Sequence, residues 1–331
     1  MLDDLWHPGA EGATVAAVTV CRACEELIGR VEDAWPGGDA DAALERLRAR
    51  IDTLLRRDAL PEPRAASDLP VIEVNCLGVT RIEARGMPVD PPRRSRLVLQ
   101  YLIAHRRRPV PRDVLLEAFW PGSSPAAARN SLNVAVTLLR RALRPAFGDQ
   151  PVVVFGDEAY RIDPAIEVRI DRDRFERLVR EAGASRRAGD HAEAVRLLRA
   201  ATGLHRGPLF AEEPYEDWIV AMRRSVEAAR LSALTDLGES LAALGSIDES
   251  IEVHREILEA EPVREDVHRA LMACFAAQGR PYLALRQFDE CMEQLRRRLG
   301  VEPAPETWAV RERIARRAVG VAPRKQAVIA A

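Results

Sequence analysis

Between residues 13 and 58 apolar side chains recur at helical spacing, and Pro36-Gly37-Gly38 breaks the run, which predicts two helices. The second aligns Ala43, Leu44, Leu47, Ile51, Leu54 and Leu55 on one face, with acids early and Arg56 and Arg57 late, as the helix dipole favours. Three prolines within residues 61–70 predict a linker. From Val71 the period shortens. Val71-Ile72-Glu73-Val74 and Val79-Thr80-Arg81-Ile82 read as short strands separated by Gly78, with a further turn at Gly86. Helical spacing returns over residues 93–106, burying Leu97, Val98, Tyr101 and Leu102, and over residues 111–120, from Pro111 to the stop at Trp120-Pro121.

A third helix is the most strongly marked. Ser124 is an N-cap candidate, Pro125 suits the first helical position, and Pro145 predicts the far end. Leu132, Val136, Leu139 and Leu143 form one apolar stripe, and the opposite face carries Asn130, Asn133, Val134, Thr137, Arg141 and Arg144. Val152-Val153-Val154-Phe155, a turn at Gly156-Asp157-Glu158, and Ala159-Tyr160-Arg161-Ile162 then predict a β-hairpin. Strands, three helices and a hairpin are the order of a winged helix, in which the last helix enters the major groove. Asn and Arg can pair with base edges there, and Thr can contact a base or a methyl group.

From residue 171 to 317 the helical period is almost continuous. Gly189, Gly245 and Gly279 each precede a small residue by five positions, namely Ala194, Ser250 and Ala284. The last two glycines stand 34 residues apart, the tetratricopeptide (TPR) period, whereas the first two stand 56 apart, so an insertion falls between them. It is expected to include Arg206-Gly207-Pro208-Leu209-Phe210 and a helix containing Trp218. Stacked helix pairs bury apolar faces against one another, so Leu197, Leu198, Leu271, Phe275, Leu285 and Phe288 are expected core residues.

The fold class expected from this pattern is mainly α with a small β component, a winged helix-turn-helix followed by a TPR-like superhelix. The predicted boundaries are an N-terminal helical extension with linker over 1–69, the winged helix over 70–166, the helical array over 167–320 and a flexible tail over 321–331. Charge sharpens the division. The 331 residues carry a formal charge of −2, but residues 1–69 hold −6, residues 70–166 hold +5, and residues 167–320 hold −3. A basic middle between acidic flanks is where a polyanion would dock.

Lys325 is the single lysine, which excludes a P-loop or Schiff-base lysine, and no HExxH, GxSxG or GxxxxGK[ST] motif occurs. The chain is therefore not expected to be an enzyme, and no cofactor is called for. Cys21-Arg22-Ala23-Cys24 has metal-ligand spacing but lacks the second ligand pair of a structural zinc site, so no metal is expected. Cys76, Cys274 and Cys291 sit in apolar contexts and are expected core thiols. No apolar run approaches the 18 residues of a membrane span, and an odd count of five cysteines speaks against a disulfide framework, as in a cytoplasmic protein.

The order and spacing of several short motifs carry a family resemblance over about three quarters of the chain. They are Leu77-Gly78, residues 115–121, Arg129-Asn130-Ser131-Leu132 through Leu139-Arg140-Arg141-Ala142-Leu143, Asp171 with Phe175, Arg206-Gly207-Pro208-Leu209, Trp218, Glu261-Pro262, Gly279-Arg280 and Leu299-Gly300-Val301-Glu302-Pro303. In these the chain resembles transcriptional activators of the Streptomyces-antibiotic-regulatory-protein (SARP) type, which join a winged helix of the OmpR/PhoB kind to a TPR-like bacterial transcriptional activator domain. The resemblance implies a cytoplasmic activator that binds promoter repeats as a homodimer and contacts RNA polymerase. It implies DNA-facing roles for Asn130, Asn133, Val134, Thr137 and Arg140 on the third helix and a wing over residues 156–160; with Arg129, Arg141, Arg144 and Tyr160 these make up the expected DNA-binding set. Residues 120–124 would correspond to the segment facing polymerase. Two departures are visible. Thr137-Leu138 stand where relatives often carry arginine, and the wing turn holds Asp157 and Glu158, carboxylates that oppose phosphate. More of the cationic contact is then expected from Arg93, Arg94, Arg96 and Arg106-Arg107-Arg108. The competing reading is a TPR-like scaffold or sensor whose winged helix binds DNA weakly or not at all.

Overall fold

In the computed structural model the described residues are 69–320. The helix pair expected over residues 13–58, the Cys21/Cys24 pair and the tail lie outside them. Alternation sets the first sheet: in β1 (Val71–Asn75) Ile72 and Val74 are buried and Glu73 is exposed. β1 pairs antiparallel with β2 (Arg81–Ala84), which pairs with β3 (Met87–Pro88). On its other edge β1 takes β7 (Glu167–Ile170) in parallel, giving the order β3-β2-β1-β7. β7 is absent from the sequence-based expectation.

Helices α1 (Arg93–Ala104), α2 (Arg112–Phe119) and α3 (Pro125–Phe147) follow, then the wing strands β5 (Val153–Gly156) and β6 (Ala159–Ile162). A two-residue strand β4 (Val110–Pro111) joins β6 to make the second sheet, order β4-β6-β5. Ser124 caps α3 as expected, its Oγ accepting from Ala127 N at 3.4 Å, with Pro125 first in the helix. The expected stop at Pro145 is corrected: α3 continues to Phe147. Pro145 deletes one hydrogen bond in the last turn, but continuing the helix buries Ala146 and Phe147, and Gly148 then closes it in a positive-φ conformation, donating to Arg144 O at 2.7 Å. The stripe Leu132, Val136, Leu139 and Leu143 is buried throughout.

The C-terminal half is a run of helices, each packed on the next: α4 (Asp171–Arg187), α5 (His191–Thr202), α6 (Asp217–Ala243), α7 (Ile247–Ala260), α8 (Glu265–Ala277), α9 (Pro281–Leu299) and α10 (Pro305–Gly320). The glycine repeat has a common mechanism. Gly189, Gly245 and Gly279 all have φ between 70° and 82°, and the residue after each donates to a carbonyl five positions back: Asp190 to Ser185, Ser246 to Leu241 and Arg280 to Phe275, each at 2.9 Å. These are Schellman closures, which need the left-handed conformation glycine adopts without strain. Ala194, Ser250 and Ala284 are fully buried, as are Leu197, Leu198, Leu271, Phe275 and Phe288; Leu285 is half-buried. Cys76, Cys274 and Cys291 are free, buried thiols.

The two halves share one apolar core that runs from Ile72 through Leu139 and Phe175 to Leu241 and Val267. The segment before α6 doubles back onto the end of β1: Arg206 N donates to Leu77 O, Phe210 N to Cys76 O and Ala211 N to Gly78 O, all at 2.9 Å. Asp171, at the head of α4, accepts from the backbone N–H groups of Cys76 and Leu77. Buried Glu213 pairs with Arg93 at 2.6 Å and Arg96 at 3.7 Å, and Arg106 pairs with Asp173. Trp218 packs among Tyr101, Phe119 and Phe210. This junction fixes α1, on which α3 packs, relative to the helical array.

Two buried histidines of the array make its stability pH-dependent. His268 Nε2 donates to Pro262 O at 3.0 Å, leaving Nδ1 to accept from Gln287 Nε2 at 2.8 Å, a pattern that suits only the neutral ring. His254 Nδ1 contacts Ser250 O at 2.7 Å, and its Nε2 is buried without a partner. Burial is the main cause that pushes both rings below the ordinary histidine value. The folded state therefore binds fewer protons than the unfolded chain below about pH 6.5, so stability is full above that pH and falls as the pH drops through it. Urea midpoints are expected to be lower at pH 5.5 than at pH 7.5, with the difference reduced in His268→Gln.

Candidate nucleic-acid interface

The N-cap at Ser124 starts α3 and the buried stripe sets its rotation, so the remaining positions face outward. Arg129, Asn130, Asn133, Val134, Thr137, Arg140, Arg141 and Arg144 are all exposed, and none is covered by the helical array. Asn130, Asn133, Thr137, Arg129 and Arg141 make no side-chain hydrogen bond or ion pair among the described residues, which leaves their donors and acceptors available. Val134 is 49% exposed. Arg140 and Arg144 differ. Arg140 donates from Nε and Nη2 to Val153 O at 3.1 and 2.7 Å, tying the wing to the helix, and Arg144 pairs with Asp149 at 2.9 Å.

The wing is a tight hairpin. Asp157 and Glu158 have φ of 50° and 58°, the paired positive values of a two-residue turn whose twist matches the flanking strands. Tyr160 is corrected from interface to core: it is 5% exposed, its ring packs 4.6 Å from Phe155, and burial raises its phenol pKa. The alternation of β6 puts Tyr160 and Ile162 on the inner face and Arg161 on the outer one. A second correction concerns the expected phosphate anchors. Arg93, Arg96 and Arg106 are engaged by Glu213, Glu216, Asp90 and Asp173, so of that set Arg94, Arg107 and Arg108 are the ones exposed without such partners among the described residues.

The acidic wing turn is partly offset. Arg112 N donates to Glu158 O at 2.8 Å, the Arg112 guanidinium pairs with the Glu158 carboxylate, and it lies 5.8 Å from the centre of the Phe155 ring. Sequence reasoning missed Arg112, whose partner stands 46 positions away. Glu158 is 71% exposed, so losing the pair costs the fold little. Glu158→Gln is expected to free Arg112 and remove an acid from the wing. Affinity for duplex DNA at low salt should rise several-fold, with a log–log salt slope steeper by about one unit; unchanged or weaker binding in a filter or fluorescence titration would contradict this.

Among the described residues no cluster of three or more His, Cys, Asp or Glu could hold a metal ion, and no helix is long and apolar enough to cross a membrane.

Comparison with known proteins matches both halves. Residues 170–315 match the family described as bacterial transcriptional activator domain, and residues 86–161 match that described as transcriptional regulatory protein, C terminal. The transcriptional regulatory protein MoaR1 of Mycobacterium tuberculosis is 29% identical over 255 residues, covering 76% of this chain and 81% of that protein. The regulatory protein DnrI of Streptomyces peucetius is 25% identical over 259 residues, covering 76% of this chain and 94% of that protein. Among solved structures, Mycobacterium tuberculosis EmbR in complex with a low-affinity phosphopeptide aligns with a TM-score of 0.68 and 26% identity, over 75% of this chain and 66% of that chain.

Proposed function

This chain belongs to the SARP type of transcriptional regulator, and from that premise we propose that it is an activator that docks the exposed face of α3 in the major groove of promoter DNA. One observation carries the reading: Asn130, Asn133, Thr137 and Arg141 present unpartnered hydrogen-bonding groups along one outward face of a helix whose other face is locked in the core. In this reading Arg129, Arg140 and Arg144 flank the contact and the hairpin of β5 and β6 lies along the backbone. A homodimer on repeated half-sites presents residues 120–124, which include half-buried Trp120, to RNA polymerase.

The shared core also bears on how the protein should be handled. A fragment ending at residue 166 would lose β7 and Asp171, and with them an edge of the first sheet and the ligand of the Cys76 and Leu77 N–H groups. The intact chain is therefore the one to test. Incubated with sheared genomic DNA at low salt, it is expected to retain a small set of fragments lying upstream of genes, with retention falling steeply as salt rises. Capture of proteins with no DNA enrichment would favour the second reading, a TPR-like scaffold or sensor, for which exposed Asp157 in the wing turn is the supporting observation.

A further inference from the structure

The proposed DNA contact implies a sequence class that neither the family matches nor the relatives assign, and this step rests on that contact. We propose that the middle of α3 reads consecutive A·T base pairs, with Asn130 and Asn133 pairing with adenine and Val134 and Thr137 packing on thymine methyl groups.

Asn130, Asn133, Val134 and Thr137 occupy two helical turns that span about 10 Å, or about three base pairs. All four are exposed, and the two amides have no internal partner among the described residues. An asparagine amide offers one acceptor and a donor pair, the complement of adenine N6 and N7 in the major groove. A valine that is 49% exposed on a polar face leaves about half of its apolar surface open, and thymine C5-methyl is the apolar group that a major groove presents.

Chemistry for G·C pairs is missing from the same two turns. Guanine O6 and N7 call for a guanidinium or ammonium group, and cytosine N4 calls for a carboxylate. α3 carries no Asp or Glu, and Arg140 is held by Val153 O. Along the helix axis the unpartnered guanidinium groups stand outside the central four: Arg129 precedes Asn130, and Arg141 is one turn beyond Thr137. They fit flanking guanines or phosphates.

The test selects duplexes from a random library with the full-length protein, then replaces the thymines of the selected site one at a time by deoxyuridine, which removes only the methyl group. The expected site contains two or three consecutive A·T pairs. Deoxyuridine should weaken binding by about fourfold at each contacted position, and Val134→Ala should abolish that difference at one of them. Asn133→Ala should lower discrimination against G·C at one position by about tenfold or more. A selected site with G·C at its centre, or equal affinity for thymine and deoxyuridine, overturns the assignment while leaving DNA binding intact. Failure to bind any duplex at low salt removes the DNA reading itself, and this inference with it.

Discussion

Asp171→Ala is expected to lower the free energy of unfolding by about 3 kcal/mol. The carboxylate is 9% exposed and joins the head of α4 to the end of β1. Oδ1 accepts from Cys76 N at 2.9 Å and from the Cys76 thiol at 3.1 Å, and Oδ2 accepts from Leu77 N at 3.0 Å. Alanine leaves two buried backbone N–H groups without an acceptor, each worth about 1–3 kcal/mol. Asparagine should recover only part of the loss, because its NH2 group would face a donor where Asp171 offers a second oxygen. Urea denaturation of the three proteins checks both statements. A loss below about 1 kcal/mol for alanine would show that the junction is held elsewhere.

Trp218→Ala should have a comparable effect for an apolar reason. The indole packs 4.9 Å from the Tyr101 ring, 5.9 Å from Phe210 and 6.3 Å from Phe119, so it joins α6 of the helical array to α1 and α2 of the winged helix. Removing a large aromatic side chain from such a cluster costs about 3 kcal/mol. For a unit of this size that corresponds to a fall of about 10 °C in the melting temperature. Calorimetry distinguishes a shared core from two independent halves. The shared core predicts that the whole transition moves down together, whereas independent halves would keep one transition at its original temperature.

The features written locally in the sequence were the legible ones. α3 announced itself through an N-cap, a proline at the first position and a stripe at helical period, and its outward face followed from that period alone. The array was legible through three glycines because each closes a helix by the same local hydrogen bond. Pairings between distant segments were not legible. β7 is four residues long and forms only against β1, almost a hundred positions earlier, so nothing in Glu167–Ile170 distinguishes it from a helix start. The engagement of Arg93 and Arg106 has the same origin, since their acids stand 67 to 123 positions away. Tyr160 did carry a readable signal. It shares the parity of Ile162 in a strand with one buried face, and that parity places it inside.

The account stands most directly on whether the outward side chains of α3 touch DNA. The decisive titration compares the parent protein with a triple variant, Asn130→Ala, Asn133→Ala and Arg141→Ala, on a duplex the parent retains. All three positions are exposed, so the fold should be unchanged by circular dichroism. The account predicts that the variant loses at least about a hundredfold in affinity for that duplex. Equal affinity of the folded variant and the parent would contradict it.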